Sequence, residues 1–293
     1  MPFVMSLTST PFFSIVIPTL NEEKYLPLLL RDLATQTFKD FEVIHVDANS
    51  DDKTVEKADS FQEKISLRTI LSTLRNVSHQ RNTGAEAAQG QWVIFMDADN
   101  RLPKHFLERL AWKLKTQPSE LFTCFLETNS LNILHKNLTT LTNAIIEFSA
   151  NIRPFSPGAL IGIRRDLLTY LSFNPHLKIS EDHHFMSEAF KRGYHLAVFS
   201  EPRYSYSMRR FKKVGSVKML VTYLRGAFVV LAGEKFEKIA PEYPMLGGAF
   251  YHTQTTKKTS FPDLRAFVQK LSSKQLEQLR QLAVNFQETL RDE

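Results

Sequence analysis

The chain has 293 residues, with 37 Lys and Arg against 31 Asp and Glu for a net charge of +6, and its 43% hydrophobic and 23% charged content exclude a disordered or fibrous protein. Phe occurs 23 times, as often as Gly (10) and Pro (13) together, which disfavours a Gly/Pro-rich all-β or low-complexity chain. A single cysteine, Cys124, excludes an intramolecular disulfide framework and a multi-cysteine zinc site, suits a reducing compartment, and leaves oxygen or imidazole to hold any metal.

Residues 13–17 (FSIVI) form a short β-branched run ending at Pro18 and read as a buried strand. Tyr25, Leu26, Leu29, Leu30 and Leu33 then recur at helical spacing within 22–33, with Asn21 placed as the N-cap. The cycle repeats as strand 41–46 and helix 51–61, strand 65–71 and helix 78–89, then strand 92–96 and helix 103–115. Four β-α cycles predict a parallel sheet with helices on both faces. Beyond residue 115 the alternation loosens: 121–126 is strand-like, 131–152 is a long helix, Ile161 and Ile163 mark a strand edge, and 166–171 is a short helix. A helix over 180–192 is stopped by Gly193 and followed by a strand over 194–199, so this half should complete the sheet. Residues 215–232 look helical, and 263–291 place Leu264, Phe267 and Leu271, then Leu279, Leu282 and Phe286, at helical spacing.

No charged side chain occurs in the first 21 residues, yet no basic region leads the segment and Pro11 and Pro18 interrupt it, so it reads as mature sequence rather than a secretory signal. No window reaches the roughly 18–20 apolar residues of a spanning helix. The nearest, 219–233, contains Thr222 and Arg225.

In parallel sheets ligands sit at the carboxyl ends of the strands. Three polar clusters fall there: Pro18-Thr19-Leu20-Asn21-Glu22 after the first strand, residues 47–52 (DANSDD) after the second, and Asp97-Ala98-Asp99-Asn100 after the fourth. None carries the dinucleotide Gly-x-Gly-x-x-Gly or a Walker lysine loop. Asp97 and Asp99, one residue apart, should lie on the same side of an extended backbone and repel unless a cation, solvent or a proton intervenes. Mg²⁺ or Mn²⁺, which take one or two carboxylates plus phosphate oxygens, answers that need, and an ordinary acidic turn is the plain alternative.

Asp47 has two readings, as acceptor for a nucleobase N–H or as the head of an Asx turn. Arg75 and Arg81 flank and enter a helix start, where arginine and helix N-terminus both favour phosphate, against the alternative of a solvated basic face. His79 is assigned to packing or capping. Glu181-Asp182-His183-His184 offers a carboxylate as general base, or acids that simply complement a first helical turn. The adjacent histidines point about 100° apart on a helix and do not jointly ligate one ion. Arg209-Arg210-Phe211-Lys212-Lys213 is a basic run suited to phosphate, anionic lipid or solvent.

Taken in order, the segments FSIVIPTLNEEKYL, FEVIHVDANSDDKT, SHQRNTGAEAAQGQWVIFMDAD and ISEDHHFMSEAFKRGY resemble the inverting glycosyltransferases of family 2, over about residues 13–232. The resemblance implies an α/β, GT-A-like fold: a Rossmann-type, mostly parallel central sheet flanked by helices, here with a helical C-terminal extension. It implies a nucleotide-sugar-binding half over 1–115 and an acceptor-binding half over 116–214. Residues 215–293 are then a helical region for a membrane surface or an oligomer contact. The implied activity is metal-dependent, inverting transfer from a nucleoside-diphosphate sugar, UDP-sugar first, to a hydroxyl of a glycan or lipid-linked acceptor, as in cell-envelope or polysaccharide synthesis.

By the same resemblance Pro18, Thr19, Glu22, Asp47, Arg81, Asn82 and Asp97 contact the nucleotide, and Asp97 and Asp99 hold Mg²⁺ or Mn²⁺. Asp182 is the catalytic base, and Arg209 and Arg210 hold the diphosphate. Ala48 stands where the family often has a second acid, which leaves the base contact to Asp47. Two rivals are a sugar-phosphate nucleotidyltransferase, disfavoured because Pro-Thr-Leu-Asn replaces its Gly-rich basic loop, and a non-catalytic nucleotide-sugar-binding protein. No nucleic-acid module is recognisable.

The charge is localised. Residues 202–233 contain seven basic and no acidic side chains, so they carry +7 and leave −1 (+6 less +7) for the other 261 residues. A cytoplasmic protein with a peripheral helix at the inner, anionic membrane face is the expectation this raises.

Overall fold

The computed structural model describes residues 10–150, 154, 158–177, 181–207 and 209. The helices expected over 215–232 and 263–291, and Arg210, lie outside the described residues. Four parallel strands, β1 (Phe13–Thr19), β2 (Phe41–Asp47), β3 (Leu67–Leu71) and β4 (Trp92–Met96), form one side of a seven-stranded sheet. The other side consists of β5 (Leu121–Glu127), β6 (Leu160–Arg164) and β7 (Leu196–Ser205), in the overall order β3-β2-β1-β4-β6-β5-β7. β6 is antiparallel to both of its neighbours, whereas β5 and β7 are parallel. The expected strand edge around Ile161 is thus a full strand inside the sheet.

Strand alternation divides the core between two faces. Phe13, Ile15, Ile17, Val43 and Ile94 meet α1 (Leu26–Ala34) and α4 (Phe106–Thr116) on one side. Val16, Ile44, Val46, Val93 and Phe95 meet α6 (Glu181–Lys191) and the 3-10 helix Arg165–Thr169 on the other. The four buried leucines of α1 each contribute about 2 kcal/mol of apolar burial. The remaining helices are α2 (Thr54–Asp59), α3 (Val77–Ala87) and α5 (Ile133–Ser149). α3 lies tight on β1: a Cβ at Gly84 would strike the side chain of Val16. Among the described residues, no helix is long and apolar enough to cross a membrane.

Three expected elements are corrected. Asn21 is not the N-cap of α1, which starts at Leu26 after Tyr25; Asn21 sits at φ 58° in the loop, and its Oδ1 accepts the Asp51 N–H at 2.7 Å. β1 runs on through Pro18 to Thr19, since proline at the end of a strand leaves the pairing with Val46 and Asp47 intact. α2 is one and a half turns rather than the expected 51–61, because residues 47–53 are engaged in a hydrogen-bonded turn.

Candidate active site

The sheet order places β2, β1 and β4 side by side, so the three polar clusters meet at one carboxyl edge. Side chains from α3 knit that edge together. Gln80 Nε2 donates to the carbonyls of Thr19 (2.8 Å) and Val46 (2.7 Å), fixing where β1 and β2 end. Asn76 caps α3 by accepting the His79 N–H at 2.9 Å.

Of its two readings, Asp47 takes the turn. It is fully buried; Oδ1 accepts the hydroxyls of Thr19 (2.8 Å) and Ser50 (2.6 Å), and Oδ2 accepts the Ser50 N–H at 2.8 Å. These bonds give Asp47 a place in the scaffold of the turn, with Ala48 buried beside it and Asn49 at φ 54° in the loop. Ser50 Oγ in turn accepts the Asn21 N–H (2.8 Å), and Thr54 Oγ1 accepts the Glu22 N–H (2.8 Å). Pro18 lies in the strand and is buried, so its place is likewise in the wall of the site.

β4 stops at Met96, and Asp97 to Asn100 turn, with the Asn100 N–H on the Asp97 carbonyl (3.2 Å). The expectation of two carboxylates on one side of an extended strand is corrected accordingly. Each has its own arginine. Asp97 Oδ1 accepts from Arg81 Nη2 at 3.2 Å, and Asp99 Oδ2 lies 2.9 Å from Arg209 Nε. Arg209 also forks onto Glu22, at 2.6 and 2.7 Å, and lies over the Tyr25 ring. Burial pushes the Glu22 carboxyl up to about 7, against the pull of Arg209 and with Asp99 and Asp97 adding to the rise.

Arg81 is not a solvated basic residue. It is 2% exposed, and it donates to Glu181 Oε1 (2.9 Å), to Asp97 and to the Gly158 carbonyl (3.1 Å), with its guanidinium over Phe173. Asn82 likewise faces the protein: its amide exchanges two hydrogen bonds with the backbone of Phe173, at 2.7 and 2.8 Å. Arg81 and Asn82 thus hold the site's two sides together.

Asp182 occupies the first turn of α6, next to Glu181 in the Arg81 cluster. Desolvation first, then the neighbouring Glu181 charge, lift its carboxyl to about 7, against Arg81 and a hydrogen bond from the His183 N–H. Gly158, at φ 70°, makes room for it: a Cβ there would lie 2.6 Å from Asp182 Oδ2. Sequence reasoning did not single out Gln80 or His45 as site residues. A histidine inside the apolar strand FEVIHVD was the one available signal for His45.

The residues suit a hard divalent cation. Asp99 and Asp97 add to the rise of the Glu22 carboxyl, and a guanidinium stands between Glu22 and Asp99 as a stand-in cation. Among the described residues, no three acidic, histidine or cysteine groups are gathered at ligand spacing. A cation here would therefore take two carboxylates and complete its shell from the substrate or water.

The family model of glycosyl transferase family 2 matches residues 14–170, more than half of the chain. The poly(ribitol-phosphate) β-N-acetylglucosaminyltransferase TarS of Staphylococcus aureus is 28% identical over 209 residues, covering 68% of this chain and 36% of that protein. This chain thus spans about a third of that relative's length. The crystal structure of S. aureus TarS 1–349 in complex with UDP-GlcNAc is similar at a TM-score of 0.55 and 22% identity, over 94% of this chain and 80% of that one. The mannosyltransferase PcManGT of Pyrobaculum calidifontis, in complex with GDP-Man and Mn²⁺, is similar at a TM-score of 0.57 and 20% identity, over 94% and 81%. At such identities the two structures establish the fold, a GT-A-like one.

Proposed function

This chain belongs to glycosyl transferase family 2, and on that premise we propose that it is a glycosyltransferase that moves a sugar from a nucleoside-diphosphate donor to a hydroxyl of a glycan or lipid-linked acceptor, with inversion. The observation that carries this reading is the Arg81 cluster, which brings the Asp97–Asp99 turn and the Asp182 carboxylate to one place from opposite halves of the sheet. The donor complexes of the two similar structures, with UDP-GlcNAc and with GDP-Man, support a nucleotide-sugar, a UDP-sugar first.

Asp182 serves as the base. Its raised pKa leaves it able to take the acceptor's hydroxyl proton near neutrality, so that the oxygen attacks the anomeric carbon as the bond to the diphosphate breaks. One base and no covalent intermediate give inversion. Asp97 and Asp99 would hold Mg²⁺ or Mn²⁺, whose charge stabilises the diphosphate as it leaves. Arg209 joins the diphosphate by leaving Glu22 and Asp99, with Arg210 beside it in sequence. Asp47, Arg81 and Asn82 act by shaping the donor wall. The +7 of 202–233 supports contact with an anionic, cytoplasmic membrane face where a lipid-linked acceptor is presented.

The test is nucleoside-diphosphate release from a panel of UDP- and GDP-sugars, with and without Mn²⁺. Release with at least one donor, lost with chelator, is expected. No release from any donor, with or without glycolipid acceptors, counts against the reading.

A further inference from the structure

A line of hydrogen bonds crosses the sheet beneath the site. Asp59, exposed on α2, lies 3.0 Å from the Thr69 hydroxyl of β3, within hydrogen-bond reach. Thr69 Oγ1 is 3.2 Å from His45 Nδ1, and His45 Nε2 is 2.7 Å from Thr19 Oγ1 on β1. Thr19 donates to Asp47, which holds Ser50, which accepts the Asn21 N–H next to Glu22. His45 is fully buried at the centre of this line, paired in register with Ile17 and Thr69.

Counting protons fixes the ring. The Thr19 hydroxyl has one proton, and Asp47, an acceptor only, takes it. Toward His45, Thr19 therefore accepts, and the ring must carry its proton on Nε2. A neutral ring then presents a bare Nδ1, which the Thr69 hydroxyl fills by turning away from Asp59. A cationic ring would instead donate at both nitrogens and send the Thr69 proton to Asp59. Burial, the largest influence, pushes His45 down to about 4, against the pull of Asp47 and Asp59, the charged groups that act on it.

We propose that His45 is a positioning residue: a neutral, Nε2-protonated ring that sets the direction of the hydrogen bonds from Thr69 to Asp47 and so holds the 47–51 turn against the 19–22 loop. Asp47 is engaged in that turn, so what His45 controls is the backbone that faces the nucleotide. A slack turn costs donor affinity and leaves the base, Asp182, untouched. The proposal rests on the glycosyltransfer reading only in naming the ligand.

Glutamine can copy the neutral ring, with an N–H toward Thr19 and a carbonyl toward Thr69, whereas leucine fills much of the space and offers neither. Binding of UDP and of GDP, each with Mn²⁺, is measured by calorimetry for wild type, His45→Gln and His45→Leu, alongside thermal melts. His45→Leu is expected to weaken nucleotide binding by about tenfold, and His45→Gln to stay within about threefold of wild type. In turnover the leucine variant raises donor KM and leaves kcat nearly unchanged. Nitrogen-15 NMR of the wild-type ring, assigned by its loss in His45→Gln, is expected to show Nε2–H and no titration between about pH 5 and 8.

A ring protonated on Nδ1, or one that titrates near its ordinary value, overturns the proposal whatever the nucleotide does. Equal nucleotide affinity in wild type and a folded His45→Leu also overturns it. Wild type that binds neither nucleotide contradicts the donor reading instead, and the ring's NMR signature still decides the direction of the hydrogen bonds.

Discussion

Arg81 and Glu181 are 100 positions apart in sequence and meet at 2.9 Å in a pair that is almost fully buried. Through the same guanidinium the Asp97 turn is joined to the helix that carries Asp182. A buried ion pair adds little net stability when intact, but removing one partner strands the others without solvent. Arg81→Met is expected to lower unfolding stability by about 3 kcal/mol or more, read by urea denaturation. Arg81→Lys should recover part of this, since an ammonium keeps the charge but cannot reach three acceptors in the fixed planar geometry of the guanidinium. A loss under about 1 kcal/mol for Arg81→Met would contradict a linking role.

Gly158 faces two demands at once, a positive φ and the nearness of Asp182. Gly158→Ala adds roughly 1 kcal/mol of backbone strain and pushes the Asp182 carboxylate from its place. Turnover is expected to fall by about tenfold or more while donor binding changes little. A variant whose kcat matches wild type would show that the carboxylate does not need that position.

The raised Asp182 carboxyl gives a sign to the pH dependence. Its protonated form cannot accept the acceptor's proton, so kcat/KM should climb with pH and level off above about 7. Stability responds the opposite way. With an ordinary value of 3.8 in the unfolded chain and about 7 in the fold, the contribution of this group is whole below pH 3.8 and is lost as pH rises to about 7. A pH–rate profile flat between about 5 and 8 would speak against Asp182 as base.

Arg209 neutralises Glu22 and Asp99 together. Arg209→Ala removes the competitor for those carboxylates, so Mn²⁺ without nucleotide should bind about tenfold tighter, as read by paramagnetic resonance. Affinity for UDP in the same variant should fall, because the diphosphate loses a bidentate partner. Weaker Mn²⁺ binding would mean that the guanidinium and the metal do not share those oxygens.

Much of this was legible in the amino-acid order. The β-branched runs at 13–17, 41–46 and 92–96 gave strands, and adjacent β2, β1 and β4 collected the polar clusters that follow them. What could not be read was direction. Asp47, Arg81 and Asn82 have the side chains a nucleotide wants, yet they face inward, since their partners Ser50, Glu181 and Phe173 come from a turn or from distant segments. β6 was only half visible because its five residues pair on both sides with antiparallel neighbours that no local pattern announces. His45 escaped notice for a related reason: one polar residue in an apolar strand gains meaning only when β1 and β3 are known to flank it.

In the proposed reaction Asp182 removes the acceptor's proton. The most direct measurement is sugar transfer by Asp182→Asn at saturating donor and Mn²⁺, with nucleotide affinity determined on the same preparation. The variant keeps the side chain's shape and cannot act as a base, so transfer should fall by about a hundredfold or more while nucleotide affinity stays within about threefold of wild type. Transfer at the wild-type rate by Asp182→Asn would contradict the account.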